Sequence, residues 1–385
     1  MKAPQTHLRF PHTVLPPSAE QLRVEFREFL AKEKEAGTWE RSRKSWGGWK
    51  PGFSKALGEA GYLGMTWPKE YGGGERTYLE RYALTEEMLA AGAPSGFHWI
   101  ADRQSGPVIL RFGTEDQKRR YLPGIIAGET SFCIGMSEPD SGSDLASVRT
   151  RAVRDGDGWR VTGTKIWTSN AHRADYCILF CRTEEPSEKR HAGLSQFIVD
   201  LGATEGLTVR PIFNIAGSHD FNEVVFDNAY LPNDCLLGEP GNGWEQVTSE
   251  LSLERAGPDR FLTNLAVLSD LVGVLGDGAS TESARAIGRL FSHLSVLRKA
   301  SISVAGLLEA GELPNVESAI VKDLGTAFQQ ELPAIARVVA SAERVDDAAL
   351  LDLIENAILV SPAYTIQGGT TEILRGIIAR GLRLR

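Results

Sequence analysis

The most informative part of the chain is Ile134-Gly-Met-Ser-Glu-Pro-Asp-Ser-Gly-Ser-Asp144, where small, turn-forming and hydroxyl residues are packed between β-rich segments. The backbone N–H groups of such a loop, together with the hydroxyls of Ser137, Ser141 and Ser143, can hold a phosphate or the polar edge of a ligand. A plain surface turn is the commoner fate of clusters of this composition. The residues alone therefore leave both interpretations open.

A second informative segment, Gly163-Thr-Lys-Ile-Trp-Thr-Ser-Asn170, follows further along the chain. An aromatic residue followed by two hydroxyl residues can stack on a flat ring and donate hydrogen bonds to its edge. A buried strand tryptophan followed by a Thr-Ser-Asn turn is an equally good interpretation of the segment by itself.

Outward from these two segments, the hydrophobic pattern divides the chain into three zones. Residues 1–129 show the spacing of amphipathic helices, residues 130–238 show short alternating runs, and residues 239–385 return to helical spacing. Strands that follow strands without helices between them favour an antiparallel sheet. We therefore predict three domains with these boundaries.

Local signals place individual elements within the zones. In the first zone they predict a helix over 19–34 with Ser18 as its cap, a helix over 77–91, and a helix after Thr114. The helix over 77–91 is expected to carry Tyr78, Tyr82 and Leu89 on one apolar stripe, with Glu80, Arg81, Glu86 and Glu87 mostly off it. Strands are predicted over 159–167, 176–180, 196–199, 207–212 and 222–226. The last zone predicts helices over 247–274, 282–310, 316–342, 348–360 and 371–384.

The composition excludes several classes of protein. The 385 residues are 42% hydrophobic and 24% charged, which is typical of a globular protein. The net charge of −8 argues against a nucleic-acid partner, because such proteins carry a basic surplus. No apolar run approaches the roughly 18 residues of a membrane span, and the N-terminus lacks the apolar core of a signal peptide. Four cysteines without CxxC spacing favour a reducing compartment, so we expect a cytoplasmic protein.

Several catalytic signatures do not occur. The chain has no GxGxxG after a strand, no GxSxG and no HExxH, and its seven histidines lack metal-ligand spacing. Nothing in the sequence therefore supports a hydrolase, a metal site or a nicotinamide-dinucleotide fingerprint.

The motifs taken together, however, closely resemble the acyl-CoA dehydrogenase family of flavoproteins. The resemblance is carried by SEPDSGSD (137–144), GTKIWTSN (163–170), FNEVVFDNAYLP (221–232) and GEPGNGW (238–244), in that order. GMTWPKEYGG (64–73) and GGTTEILRGIIA (368–379) extend it over nearly the whole chain, and it is weakest between 276 and 360. It implies an α+β fold with an N-terminal helical domain, a central antiparallel β domain and a C-terminal four-helix bundle.

The resemblance also implies a cofactor and a reaction. The cofactor is FAD, the reaction is α,β-dehydrogenation of an acyl-CoA to a trans-2-enoyl-CoA with flavin N5 as hydride acceptor, and the electrons leave to an acceptor like electron-transfer flavoprotein. Ser169 takes the place of a threonine that usually reaches flavin N5. The implied FAD-binding residues are Ile134, Gly135, Met136, Ser137, Ser143, Trp167, Thr168, Ser169, Thr370, Thr371 and Glu372. The implied substrate-binding residues are Ser143, Ser252, Arg255 and Gly369.

The catalytic base departs from the common family pattern. Many members carry it in a Tyr-Glu-Gly-Thr motif, and this chain has Gly368 where that glutamate stands. A branch that includes isovaleryl-CoA and long-chain dehydrogenases has its base on the first helix after the β domain, in a Leu-x-Leu-Glu-Arg sequence. Leu251-Ser-Leu-Glu-Arg255 matches it, so the resemblance implies Glu254 as general base and the backbone N–H of Gly368 as a donor to the thioester oxygen. A solvated helical glutamate is the ordinary alternative for Glu254.

A second departure concerns assembly. Relatives bind the ADP half of FAD with Arg-x-x-Phe-Gly and Gln-x-x-Gly-Gly segments of a neighbouring subunit, and neither occurs between 276 and 360. Residues 283–325 resemble bacterial subunits that pair with a different chain. This implies a sister subunit in an α2β2 heterotetramer, with a homo-oligomer as the alternative. Two functional alternatives stay open: a catalytically silent subunit, and a flavin-dependent monooxygenase or oxidase on the same fold.

One further tract, Phe97-His-Trp-Ile-Ala-Asp-Arg-Gln-Ser105, is expected from its position in the family to line the acyl or flavin cavity. Its polar groups exceed what a simple fatty chain requires. We therefore consider a bulky acyl group, such as a sterol side chain.

Overall fold

The computed structural model describes residues 8–41, 47–185, 187–254 and 257–384, with the backbone alone for 251–254. Helices lie at both ends of the chain, and a sheet lies in the middle. None of the helices in the described ranges is both long and apolar enough to cross a lipid bilayer. The α-helices are α1 (Pro17–Glu35), α2 (Pro51–Glu59), α3 (Tyr78–Ala91), α4 (Gly106–Phe112), α5 (Glu115–Ile126), α6 (Gly243–Glu254), α7 (Asp259–Leu262), α8 (Leu265–Leu275), α9 (Thr281–Glu309), α10 (Asn315–Ala342), α11 (Ala348–Val360) and α12 (Thr371–Gly381).

The central sheet has eight strands in the order β6-β7-β3-β2-β4-β5-β8, with β1 also paired to β4. Most pairs are antiparallel, whereas β1 runs parallel to β4, and one residue pair joins β2 to β4 in parallel. Helices, a mostly antiparallel sheet and helices again, in that order, confirm the predicted fold class. The strands are β1 (Phe132–Gly135), β2 (Arg151–Asp155), β3 (Gly158–Lys165), β4 (Tyr176–Arg182), β5 (Leu194–Asp200), β6 (Leu207–Phe213), β7 (His219–Pro232) and β8 (Leu236–Leu237).

Two of the predicted helix starts follow the local chemistry, and one does not. Thr77 and Thr114 each form a capping box with the third helical residue, Glu80 and Gln117. The cap predicted at Ser18 is wrong, because α1 begins one residue earlier at Pro17 and Pro16 occupies the cap position. Proline suits the first helical turn because its missing N–H has no partner there in any case.

The single helix predicted over 247–274 is also wrong, since α6 ends at Glu254 and α7 and α8 follow as separate helices. Pro258 precedes α7, and a proline within a continuous helix would remove a hydrogen bond and clash with the preceding turn. Pro258 therefore accounts for the start of a separate helix at Asp259.

By its internal contacts the chain forms two compact units. The first comprises the described residues of 1–48, 76–94 and 254–385, and the second those of 49–75 and 95–253. In the first unit, Phe261, Leu268, Phe328 and Leu332 belong to a core to which α7 to α11 contribute. In the second unit, Trp159, Phe197 and Phe226 belong to the core on the sheet. The domain boundaries at 129/130 and 238/239 stay predictions.

Candidate active site

The loop after β1 is a compact turn, and its polar groups fall into two sets that differ in whether they bond within the turn. Glu138 and Ser141 exchange backbone hydrogen bonds of 2.7 and 3.0 Å, and the buried Ser141 hydroxyl donates to the Asp144 carbonyl at 2.7 Å. Ser143 is exposed and Ser137 is half-buried. Ser141 thus stabilises the turn itself, whereas Ser137 and Ser143 remain available to a ligand.

A buried ion pair fixes this loop to β3. Lys165 has no exposed surface, and its Nζ donates to Glu138 Oε1 at 2.8 Å and to the Met136 carbonyl at 3.0 Å. Glu138 also accepts from the backbone N–H groups of Arg149 and Thr150 at 2.7 and 2.9 Å. Burial raises the pKa of Glu138, but Lys165 and these donors outweigh it and hold the pKa below its ordinary value.

The second predicted segment, 163–170, leaves the sheet after Lys165, so the strand predicted to reach Trp167 is two residues too long. Trp167 and Asn170 both have left-handed backbones, with φ of 60° and 61°. The Trp167 side chain is 56% exposed and meets Phe221 edge-on at 5.9 Å. The interpretation of Trp167 as a buried strand tryptophan is therefore wrong. Strained backbone persists where the surroundings enforce it, commonly at functional sites.

A backbone hydrogen bond adds to the Lys165 contacts between the two segments: the Ile166 N–H donates to the Ser137 carbonyl at 2.9 Å. Beside the exposed indole, Thr168 is buried, and its Oγ1 has no hydrogen-bond partner within the described residues. A flat ring with a polar edge fits this arrangement, because the indole offers a face and the hydroxyl an unused donor and acceptor. The second compact unit, which contains the sheet and is called the sheet unit below, thus brings together the predicted FAD-binding residues of 134–143 and 167–169.

The predicted residues near the C-terminus form the start of α12. Gly368 and Gly369 have φ of 68° and 105°, a conformation that side-chain-bearing residues rarely adopt. The fully buried Lys322 donates from Nζ to the Gly369 carbonyl at 2.8 Å. Thr370 caps α12 by accepting from the Ile373 N–H, and its neighbours Thr371 and Glu372 form the first helical turn. Backbone hydrogen bonding lowers the pKa of the exposed Glu372.

Glu254 is the last residue of α6, and its side chain and that of Ser252 lie outside what the structure describes. Arg255 lies outside the described residues altogether. The helix itself is anchored to the sheet, since Gln246 donates to the Leu237 carbonyl at 2.6 Å and Gln196 donates to the buried Glu250 at 3.5 Å. The assignments of Glu254, Ser252 and Arg255 stay predictions.

The polar tract 97–105 carries a buried histidine. His98 Nδ1 shares a hydrogen bond of 2.8 Å with Ser54 Oγ, and its Nε2 has no partner within the described residues. Burial, with a smaller contribution from Arg103, lowers the pKa of His98 to about 3. Residues Ala101–Ser105 form a π-helical turn, a feature common at functional sites.

Comparison with known proteins matches this chain to two family models. The N-terminal domain of acyl-CoA dehydrogenases matches residues 16–129, and the middle domain matches residues 133–229. Acyl-CoA dehydrogenase IpdE1 of Mycobacterium tuberculosis is 35% identical to this chain over 338 residues. The aligned part covers 85% of this chain and 86% of IpdE1.

The chain belongs to the acyl-CoA dehydrogenase family.

Two solved structures similar to this family member contain two named components. The Tcur3481-Tcur3483 steroid ACAD is 31% identical with a TM-score of 0.83, covering 97% of this chain and 98% of that one. The ChsE4-ChsE5 complex from Mycobacterium tuberculosis is 30% identical with a TM-score of 0.81, covering 98% and 99%.

As an acyl-CoA dehydrogenase, the protein is an FAD-dependent oxidoreductase that acts on a CH–CH bond. The exposed indole and the unpaired hydroxyl of Thr168 fit that cofactor. Sequence reasoning missed Lys165, Glu138 and Lys322, the three buried charged residues that hold the predicted loops. A lysine in an alternating strand or an amphipathic helix carries no signal of its burial, so the residue pattern offered no way to find them.

Proposed function

We propose that this acyl-CoA dehydrogenase removes the α-proton of an acyl-CoA thioester with Glu254 and yields a trans-2-enoyl-CoA. The observation that carries the proposal concerns Gly368, which occupies the usual position of the base. It has no side chain, and its left-handed backbone suits glycine. Glu254, at the end of α6, stands in the Leu-x-Leu-Glu-Arg sequence of the other branch.

The reaction demands more than a carboxylate. An α-proton beside a thioester is far too weakly acidic for a free glutamate, so the developing enolate oxygen must receive hydrogen bonds. The backbone N–H of Gly368 supplies one, and Lys322 holds the adjoining Gly369 carbonyl in place. Desolvation by a bound acyl group raises the pKa of a carboxylate toward that of an effective general base. When bound beside these residues, FAD would supply N5 as the acceptor of the β-hydride, and the electrons would leave to an electron-transfer flavoprotein-like acceptor.

The sheet unit supplies most of the flavin contacts in this proposal. In it, Trp167 packs beside the flavin ring, and Thr168 and Ser169 contact the polar edge of that ring. Ile134–Ser137 and Ser143 line the flavin on the side of the loop after β1. Thr370, Thr371 and Glu372 contribute the start of α12. The substrate contacts are Ser143, Ser252, Arg255 and Gly369.

A Glu254→Gln variant tests the base. With an acyl-CoA added anaerobically, we expect bleaching of the flavin absorbance to slow by about 10²- to 10⁴-fold, the usual contribution of general acid–base catalysis. Glu245→Gln is a matched control on the same helix, because Glu245 is exposed in its first turn. Equal rates for the parent and Glu254→Gln would refute the assignment.

The anaerobic assay, together with an aerobic one that follows oxygen consumption, separates the alternatives. If this chain is a catalytically silent subunit of an active complex, the flavin of the complex bleaches equally fast with and without Glu254→Gln. A monooxygenase or oxidase would consume oxygen stoichiometrically with substrate, whereas a dehydrogenase would reduce an added electron acceptor.

We propose a heterotetramer with two copies of a sister chain. The missing neighbour-side FAD segments support this, and so do the two-component names of the similar solved structures. Large hydrophobic side chains are also exposed on α9 and α10, at Phe291, Val296, Leu324 and Val338. A stoichiometric second chain in the purified complex is expected. Full FAD occupancy and turnover by this chain alone would favour the homo-oligomer instead.

A bulky polycyclic acyl group is the proposed substrate class, supported by the steroid name of the solved structure at 31% identity. A panel of acyl-CoAs, from short fatty chains to steroid side chains, tests it on the purified complex. Faster turnover of butyryl-CoA than of any steroid thioester would contradict it. The proposed cytoplasmic location accords with Cys133, Cys177 and Cys181, which are buried free thiols.

A further inference from the structure

The strained turn 167–170 is held by one buried side chain that the proposed function does not use. Asn222, on β7, has no exposed surface, and its Nδ2 donates to the Thr168 carbonyl at 2.9 Å. The Thr168 N–H in turn donates to the Asn222 carbonyl at 3.0 Å. The residue between the exposed indole of Trp167 and Ser169 is therefore fixed through both of its backbone polar groups.

The orientation of the Asn222 amide is itself determined by a histidine. A backbone carbonyl can only accept, so the atom facing Thr168 is the amide nitrogen and the other is the oxygen. Asn222 Oδ1 lies 2.7 Å from His219 Nε2, which must therefore carry a proton and donate. Neutral His219 then has its unprotonated nitrogen at Nδ1.

A second imidazole lies flat on this histidine. The rings of His172 and His219 stack with centroids 3.8 Å apart and an interplanar angle of 19°. Phe213, on β6, contacts His219 at 5.4 Å between centroids. The charged neighbours of the stack are Arg173, which opposes a proton on His172, and Asp220, which favours one. Asp220 is also engaged by Asn214, whose Nδ2 donates to it at 2.7 Å.

We propose that Asn222 is a positioning residue for the flavin-binding turn 167–170, and that the stacked imidazoles of His172 and His219 make its hold on FAD weaken at acidic pH. This inference rests on the proposed placement of the flavin beside residues 167–169. It adds a pH-dependent support that does not itself touch the cofactor.

The physical reason is the cost of charge inside the stack. Two unit charges about 4 Å apart repel by about 1 kcal/mol in water and about 4 kcal/mol near a protein surface. Burial, then His219 and Arg173, lower the pKa of His172, while the Asn222 hydrogen bond and Asp220 partly offset this. As pH falls, a proton taken up by His172 lies against the second ring and Arg173, which favours separated rings. Separation withdraws the His219 donor that orients Asn222.

The test measures FAD release rather than turnover. The purified holoenzyme, with any partner chain that copurifies, is equilibrated between pH 5.5 and 8, and free FAD is measured by its fluorescence. For the parent we expect about tenfold weaker FAD binding at pH 5.5 than at pH 8. For Asn222→Ala we expect at least tenfold weaker binding at pH 8, because the Thr168 carbonyl loses its donor.

Two variants separate positioning from plain instability. His219→Gln keeps an amide N–H where Nε2 stands but cannot titrate, and His172→Phe keeps the stacked ring without a proton site. Both are expected to bind FAD like the parent at pH 8 and to lose the pH slope. If Asn222→Ala does not fold, the slope of His219→Gln decides alone. Unchanged FAD affinity in Asn222→Ala, or the parent's slope in both histidine variants, would overturn the inference.

These outcomes are distinct from a failure of the proposed base. The Glu254→Gln assay measures reduction at saturating FAD, which neither histidine variant alters at pH 8. A parent holoenzyme that takes up no FAD at any pH would overturn both this inference and the proposed flavin site.

Discussion

Lys165 and Glu138 form an ion pair of 2.8 Å in which the lysine has no exposed surface and the glutamate is 8% exposed. The pair joins the C-terminal end of β3 to the loop that carries Met136 and Ser137. Two charges this deeply buried require each other, since loss of one leaves the other unpaired. The pair therefore makes the geometry of the predicted flavin loop depend on a strand residue that faces the core.

Lys165→Met tests this dependence. It keeps most of the side-chain volume and leaves Glu138 charged and buried, so we expect a loss of about 3–5 kcal/mol in the free energy of unfolding. Urea titration followed by circular dichroism measures it, and FAD retention should fall in parallel.

The double variant Lys165→Met/Glu138→Gln should recover part of that loss, because it removes both charges. Arg210→Met is the matched control at an exposed pair with Glu223, where less than about 1 kcal/mol is expected. A Lys165→Met variant as stable as Arg210→Met would contradict the importance of the buried pair.

Lys322→Met tests the loop before α12, which Lys322 holds through the Gly369 carbonyl. Loss of the 2.8 Å hydrogen bond to Gly369 leaves a carbonyl unpaired at a cost of about 1–3 kcal/mol, and the loop should relax around Gly368. Because Gly368 is proposed to stabilise charge that develops only in the transition state, kcat should fall about tenfold or more with little change in KM. Steady-state kinetics with an artificial acceptor measures both.

Lys299→Met, at an exposed position of α9, is the control for loss of a positive charge on a helix of the same unit. A Lys322→Met variant with a lower melting temperature but the parent's kcat would restrict Lys322 to a structural role.

Helices and strands that depend on one strong local signal could be predicted from the sequence. The helices over 78–91 and 115–126 begin at Thr77 and Thr114 because a threonine followed by a glutamate or glutamine at the third position satisfies free N–H groups. The strands over 176–182, 194–200 and 207–213 follow the predicted β-rich runs, because their side chains occupy the faces of one sheet. The predicted order of the elements follows from the same local patterns.

Long-range contacts account for what could not be predicted. Trp167 shows alternation typical of a strand, yet the chain turns because Lys165 is held by Glu138 and Thr168 by Asn222. Strands β1 and β2 are short, and their pairing with β4 depends on residues distant in the chain. Whether Glu254 acts as the base cannot follow from helix periodicity, which placed it inside one long helix rather than at the end of α6.

The buried His98 predicts a loss of stability in acid. Its pKa is about 3 in the folded protein and about 6.5 in an unfolded chain, so the unfolded state binds the proton more readily. The stabilisation is complete above pH 6.5 and is lost as pH falls from 6.5 toward 3. Each pH unit in that window removes at most about 1.4 kcal/mol. Chemical denaturation at a series of pH values measures the slope.

His98→Asn keeps an acceptor near the position of Nδ1 for the Ser54 hydroxyl but cannot titrate. The free energy of unfolding of this variant should therefore fall less steeply between pH 6.5 and 4 than that of the parent. The exposed His293→Asn is the control for the loss of a histidine at the surface. Identical slopes for all three proteins would mean that His98 opens to solvent and takes up its proton without unfolding.

The expectation that Glu86 and Glu87 lie off the buried stripe of α3 is wrong, and the reason gives a last prediction. Glu86 accepts from Arg298 Nε and Nη2 at 2.6 and 2.8 Å and from Arg23 Nη2 at 2.9 Å, and Glu87 pairs with Arg23 and Arg27. Helix periodicity assigns carboxylates to solvent, but guanidinium groups from α1 and α9 make their burial favourable.

Glu86→Gln keeps the shape and one acceptor but leaves Arg23 and Arg298 without a shared carboxylate, so we expect a loss of about 3 kcal/mol in the free energy of unfolding. Glu20→Gln is the matched control, because Glu20 also contacts Arg23 but is mostly exposed, and less than about 1 kcal/mol is expected there. Salt should weaken the Glu20 contribution more than that of Glu86, since exposed charges are screened and buried ones are not. Urea titrations at low and high ionic strength measure both effects, and equal losses for the two variants would mean that burial adds nothing to the Glu86 cluster.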